Sequence, residues 1–184
     1  MKIVALTAPS GAGKTTIARR LTEAVPQTRF SVSATTRAPR ERERDGVDYF
    51  FLTEDEFRRR VEAGDFIEFE TYAGHLYGTL RSELERVAAE GVALLDIDVR
   101  GALNVKRLYD ADALTLFIQP PSLAALAERL KNRKTESEIT LRMRLERAEQ
   151  EMMYAADFDA IVVNDDLETA VVETVDRVRT FLGG

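Results

Sequence analysis

Cysteine is missing altogether from the 184 residues, which rules out disulfides, thiolate zinc sites and a cysteine nucleophile and leads us to expect a cytoplasmic protein. Histidine is reduced to His75, just after Gly74 in a loop that reads as solvated rather than catalytic. Long apolar runs are missing too. No window approaches the ~20 residues of a membrane helix, and the opening MKIVALTAPSG is too short an apolar run for a secretion signal, so no membrane association is expected. Lysine is scarce: five of the 26 basic residues are Lys and 21 are Arg, set against 32 acids for a net charge of −6. That balance gives no electrostatic case for binding nucleic acid irrespective of sequence. Guanidinium forks suit carboxylates and phosphates, so where the arginines stand matters more than their number. Repeats, low-complexity segments and linkers are also lacking, which leaves one compact unit or a core with inserted lobes; nothing in the sequence implies a protein partner.

What is present alternates between strand and helix. Lys2 to Thr7 is a β-branched apolar run ending in a Gly-rich turn, and Ile17, Ala18, Leu21 and Val25 then recur at helical spacing from Lys14 to Ala24 until Pro26. Residues 30–52 read as short strands around a charged loop with a turn at Asp45-Gly46. Thr53-Glu54-Asp55-Glu56 is a capping box opening a helix that Gly64 stops. FIEFETYAG (66–74) alternates as a strand, and a helix is expected from about Thr79 to Ala89. VALLDID (92–98), ALTLFIQ (113–119) and DAIVVN (159–164) have the near-continuous apolar character of strands covered on both faces. Ser122 caps a helix through about Lys131, Thr135-Glu136-Ser137-Glu138 is a second capping box, and Val171, Val175, Val178 and Leu182 stripe the closing helix. Phe66, Phe69, Phe117, Met152 and Met153 read as core. The pattern predicts an α/β fold with a doubly wound, mostly parallel sheet and polar insertions at about 33–83 and 124–154 on its carboxyl edge, where such sheets bind ligands.

TAPSGAGKTT (7–16) departs by one residue from the phosphate loop G-x-x-x-x-G-K-[ST], with Ala8 in place of the first glycine. The strand before it and the helix after it supply the required context: backbone N–H groups and the positive end of a helix dipole around a polyphosphate. Gly11 and Gly13 permit the close approach, Lys14 reaches β- and γ-phosphates, and the Thr15 hydroxyl suits Mg²⁺. Ala8 is harmless there if its φ is negative. Asp96 and Asp98 end an apolar strand; each is read either as a strand-end cap or as a carboxylate holding a Mg²⁺ water shell.

A loop of this kind implies a nucleoside triphosphate and leaves the acceptor open. SVSATTRAPR (31–40) sets Arg37 and Arg40 three apart among hydroxyls, and Tyr49 and Tyr77 follow; Arg and Tyr converging make a phosphate-monoester site, while the same tyrosines read equally as packing. Glu68 is a carboxylate among apolar neighbours that needs donors. Arg42, Arg44, Arg58, Arg59 and Arg60 read as solvated faces, and Arg142 and Arg147 as partners of helix glutamates.

In APSGAGKTT, SVSATTRAPR, DGVDYFF, FIEFETYAGHLYGT, LLDIDVRGA, FIQPPS, ERLKNR with TESE, and IVVNDDL, in that order and nearly end to end, the chain resembles the guanylate kinase family. The resemblance implies a P-loop NTPase-like kinase of three parts: a core (about 1–32, 84–123 and 155–184), a GMP-binding lobe (about 33–83) and a lid (about 124–154). It implies phosphoryl transfer from ATP to GMP, and dGMP, with Mg²⁺, in purine nucleotide salvage and GTP supply. GMP would be held by Ser33, Arg37, Arg40, Tyr49, Glu68, Tyr77, Thr79 and Asp98. ATP would be held by Ala8, Pro9, Ser10, Gly11, Ala12, Gly13, Lys14, Thr15, Thr16, Arg129, Arg133 and Asn164. Lys14, Arg37, Arg133 and Arg144 would be catalytic, and the metal would sit by Thr15 and, through water, Asp96. The departures are Ala8, Ala34, Arg42, Arg100 and Lys134. Two other functions remain open from the sequence: a non-catalytic phosphopeptide-binding module of this shape, or a related kinase with a phosphosugar acceptor.

Overall fold

The computed structural model describes residues 1–72, 74–132 and 138–183. In chain order the strands are β1 (Lys2–Thr7), β2 (Thr28–Phe30), β3 (Ala34–Thr35), β4 (Phe50–Phe51), β5 (Phe66–Tyr72), β6 (His75–Leu80), β7 (Val92–Asp96), β8 (Ala113–Gln119) and β9 (Ala160–Val163). The helices are α1 (Lys14–Ala24), α2 (Glu54–Glu62), α3 (Arg81–Glu90), α4 (Val99–Tyr109), α5 (Leu123–Lys131), α6 (Glu138–Met152) and α7 (Leu167–Gly183).

Five strands form one parallel sheet in the order β2-β7-β1-β8-β9. The two-residue alternation of its strands decides which helices cover which face. Val4 and Leu6 of β1, Leu94 of β7 and Leu116 and Ile118 of β8 pack with Ile17 and Leu21 of α1 and Val175 and Val178 of α7. Ile3 and Ala5, Leu95 and Phe117 point the other way, onto Leu84 and Val87 of α3 and Ala102 and Val105 of α4. Apolar helices on both faces explain why these strands read as near-continuous hydrophobic runs, and make the sheet doubly wound as expected. Thr7 and Asp96 end adjacent strands, so the phosphate loop and the acids after β7 emerge at one edge.

A second sheet, β4-β3-β6-β5, is antiparallel except for the β3–β4 pair. Ala34, Phe57, Phe66 and Leu80 form its own small core, with the Phe57 and Phe66 rings stacked at 4.3 Å, and β5 lies against α4. α5 and α6 pack on each other through Leu126, Leu130 and Ala148.

Several expectations are corrected. Thr79 and Leu80 belong to β6, and the helix begins at Arg81; Thr79 pairs across the ladder with Glu68, and that pairing outweighs its place in a helical pattern. α4 was not expected. It starts directly after the strand-end acids, because Asp98 turns from strand to N-cap, accepting from the Gly101 N–H at 2.7 Å. Phe69 and Met153 are exposed rather than core, whereas Phe66 and Phe117 are buried. Thr53 caps α2 by accepting from the Glu56 N–H, but the Glu56 carboxylate pairs with Arg60, so only half of the capping box forms. The second capping box falls largely on 135–137, outside the described residues.

Candidate active site

Gly11 and Gly13 adopt φ of 94° and 99°, left-handed values that strain any residue with a Cβ. Both are also sterically confined: a Cβ on Gly11 would come within 2.8 Å of the Leu130 side chain, and one on Gly13 would run into the Asn164 amide. Ala8 needs no such freedom, since among the described residues Asp110 is the one non-glycine with positive φ. The alanine in place of the first glycine is therefore unstrained. No side chain caps α1 and no acid lies in its first turn, so its N-terminal N–H groups face the loop as an anion cradle. Lys14 forms an ion pair with Asp96 and donates to the Ile97 carbonyl at 3.3 Å. Asn164, buried at the end of β9, donates its amide N–H to the Ala12 carbonyl at 2.7 Å. From α6, Arg144 reaches the Ser10 hydroxyl at 3.1 Å. Arg129 is half-buried and donates to the Asp165 carbonyl at 3.3 Å, and Arg133 lies outside the described residues.

A cleft of about 760 Å³ runs from this loop to the second sheet. Ala8, Pro9, Ser10, Gly11, Gly13, Lys14, Thr15 and Thr16 line one end; Ala12 is turned inward and fully buried. Ser33, Tyr49, Glu68, Tyr77 and Asp98 line the other, so five of the residues expected at the acceptor meet there. Glu68 and Thr79 are opposed in the β5–β6 ladder, just past an irregularity that shifts the register after Phe66, and the Thr79 hydroxyl donates to the Glu68 carboxylate at 2.6 Å. Thr79 thus reaches the cleft through Glu68. Glu68 also presses on the start of α4: a Cβ on Gly101 would stand 2.9 Å from its Cγ and 3.0 Å from its Oε2. Burial pushes the Glu68 carboxyl up to about 7, helped by the Asp98 and Glu70 charges and opposed by the Thr79 hydrogen bond.

Arg37 stands behind the two tyrosines. Its guanidinium lies 5.4 Å from the Tyr49 ring centroid and donates to both Glu43 oxygens at 2.9 Å, while Tyr49 and Tyr77 meet edge to face at 6.0 Å. Arg40 is not brought to the cleft; it is exposed, with Glu43 4.0 Å away. Glu43, the acid that holds Arg37, was not anticipated. Neither were Glu70, Tyr72, Arg147 and Glu151, which also line the cleft. For Glu70 a signal existed: two residues beyond Glu68 on one strand, it shares that face. Arg147 does pair with a helix acid as expected, Glu151, at 2.7 Å, but its second bond goes to Glu70 at 3.1 Å, which no local pattern announces.

The likenesses to known proteins agree with this arrangement. A family model described as Guanylate kinase matches residues 1–180. The guanylate kinase of Salinibacter ruber is 61% identical over 181 residues, covering 98% of this chain and 96% of that one. The guanylate kinase of Thermotoga maritima is 50% identical over 173 residues, covering 94% and 83%. Among solved structures, a guanylate kinase from Anaplasma phagocytophilum superimposes with a TM-score of 0.70 at 31% identity, covering 98% of this chain and 84% of that one. A shikimate kinase from Bacteroides thetaiotaomicron, at 17% identity and a TM-score of 0.54 over 100% and 99%, shares the fold alone. Matched along almost its whole length, the chain belongs to the guanylate kinase family.

Proposed function

We propose that this chain is an ATP:GMP phosphotransferase, converting ATP and GMP, or dGMP, to ADP and GDP, or dGDP, in purine nucleotide salvage and GTP supply. One observation carries the reading: a single cleft has an uncapped phosphate loop at one end and the Glu68 carboxylate, supported by Thr79, at the other. Guanine presents N1–H and an exocyclic amine side by side, and one carboxylate accepts from both. Adenine would instead turn a ring-nitrogen lone pair toward Glu68 and leave its charge unanswered, a mismatch of the kind worth ~10⁴ in discrimination. The identity to named guanylate kinases supports the same acceptor. A phosphosugar kinase would have no use for Glu68, and a phosphopeptide module no use for the intact loop.

Phosphoryl transfer demands positioning and charge neutralisation rather than a strong base. In this reading the α1 N-terminus and Lys14 hold the donor phosphates, Arg144 approaches them from α6, and Arg133 is the second arginine assigned to them. Arg37, with Tyr49 and Tyr77, receives the acceptor phosphate after exchanging Glu43 for it. Ser33 and Glu68 read the base. Asn164 serves the donor side by bracing the loop through the Ala12 carbonyl. Residues 33–83 form the acceptor lobe and 124–154 the lid, on a core of the remaining segments.

Mg²⁺ fits as a partner of the phosphates rather than of a protein cage: Thr15 and Asp96 line the loop end of the cleft, and among the described residues no group of three or more His, Cys, Asp or Glu side chains is arranged to hold a metal ion. When bound, the ion would neutralise charge on the β- and γ-phosphates. Small nucleotides are the partners in this reading, and the cytoplasm is the compartment. Among the described residues no helix is long and apolar enough to cross a membrane.

The test is a coupled ADP-release assay over GMP, dGMP, AMP, CMP, UMP and phosphosugars. Guanine nucleotides should be used orders of magnitude faster than the others; preference for any other acceptor overturns the assignment.

A further inference from the structure

α6 touches both ends of the cleft. Arg144 contacts Ser10 in the phosphate loop, and Arg147, one turn on, contacts the strand that carries Glu68. The Arg147 side chain uses three faces at once. Nε donates to Glu151 on its own helix at 2.7 Å, Nη2 donates to Glu70 of β5 at 3.1 Å, and the guanidinium lies 5.2 Å from the ring centroid of Tyr72, also of β5. Two of those three contacts leave the helix, which an ordinary solvated i,i+4 pair does not do. A planar guanidinium makes such a bridge because its donors point in fixed, different directions; an ammonium does not.

The partner is equally unusual. Glu70 shares a strand face with Glu68, and burial together with the Asp98 charge pushes its carboxyl up; Glu68, Glu70 and Asp98 all line this end of the cleft. Like charges this close repel and need a cation, and Arg147 supplies one from across the cleft. Its position on α6 is thereby tied to the acid cluster that reads the acceptor.

We propose that Arg147 is a positioning residue that couples the two nucleotide half-sites: by joining Glu70 and Tyr72 of β5 to α6, it fixes the helix bearing Arg144 to the strand bearing Glu68. The inference rests on the acceptor being a guanine nucleotide read by Glu68. It assigns a role to Glu70 and Arg147, neither of which touches the phosphate loop.

The test is a double-mutant cycle on the full chain, with initial rates over GMP at saturating ATP and Mg²⁺. Arg147→Ala should lower kcat/KM for GMP about tenfold, through both KM and kcat. In a Glu70→Gln background the same change should cost almost nothing. Arg147→Lys should recover only part of the loss, since it keeps the charge without the fork. The dissociation constant of a non-hydrolysable ATP analogue, measured without GMP, should change much less than that of GMP. Additive losses in the cycle overturn the coupling, as does an ATP-analogue affinity that falls as far as GMP affinity, the mark of a merely loosened helix. Glu70→Gln exchanges one oxygen for an amide, so it reads the same bond if Arg147→Ala disturbs α6. Wild-type turnover of GMP beside an unaffected Arg147→Ala sinks this inference alone; a wild type that uses no guanine nucleotide sinks the functional reading with it.

Discussion

The two ends of the cleft are built on opposite principles. The donor end is made of backbone: glycines at positive φ, a helix terminus, and a buried Asn164 holding the loop by a carbonyl. Its lysine, Lys14, already has an acid partner in Asp96. The acceptor end is made of side chains from a separate small sheet, and it carries charge in excess: Glu68, Glu70 and Asp98 on one wall. Backbone cradles are cheap to specify and generic for polyphosphates, whereas a crowded carboxylate wall is costly and selective. On the proposed assignment, general affinity for nucleotides would reside at one end and discrimination between them at the other.

Substitutions should separate the two. Glu68→Ala should lower kcat/KM for GMP by ~10³–10⁴ while leaving ATP-analogue affinity nearly unchanged; an equal loss at both would erase the distinction. Lys14→Ala should cost ~10²–10³ in kcat with GMP affinity retained, the pattern for removing one preorganised charge at the phosphates.

Stability gives an opposite signature. The folded Glu68 carboxyl titrates near 7 against 4.5 in the unfolded chain, so between those values the folded state holds the extra proton and stability falls as pH rises. Above pH 7 ionised Glu68 is a net cost, with an upper bound of ~3 kcal/mol. Glu68→Gln should accordingly raise the melting temperature of the ligand-free protein at pH 8 and have little effect at pH 4.5, as calorimetry at the two pH values would read. A variant that loses the acceptor and gains stability marks a site strained for function.

The same titration predicts that GMP binding weakens about tenfold from pH 8 to pH 6, since a protonated Glu68 no longer accepts from both guanine donors. Titration calorimetry should find this dependence in the wild type and lose it in Glu68→Gln. Smallest of all, Asn164→Ala should weaken ATP-analogue binding by about 1 kcal/mol, the worth of one hydrogen bond, and leave GMP binding untouched.

The difference between the ends also explains what could be read in advance. The phosphate loop was legible from ten residues because its geometry is local: a strand, two glycines, a lysine and a helix start in one stretch. The core strands were legible because burial on both faces leaves few polar positions. Glu68 stood out only as an acid in apolar company, and its meaning came from resemblance to a family. The Glu68–Thr79 pair depends on ladder register, which pulled Thr79 out of the expected helix. α4 escaped notice because only Ile97 and the capping Asp98 separate it from β7, with no turn signal between them. Arg37 was foreseen without Glu43, and Arg147 without Glu70, since both pairs are made by tertiary placement.

The contact between Gly101 and Glu68 reaches beyond this chain. On the proposed assignment Gly101 leaves room for the base-reading acid, which makes the two positions one unit of variation: a Cβ at 101 would stand 2.9 Å from the Glu68 Cγ and 3.0 Å from its Oε2, and a shorter acid at 68 would leave a gap at the start of α4. A side chain at 101 is therefore expected to be tolerated only where residue 68 changes with it, so that the two positions vary as a pair.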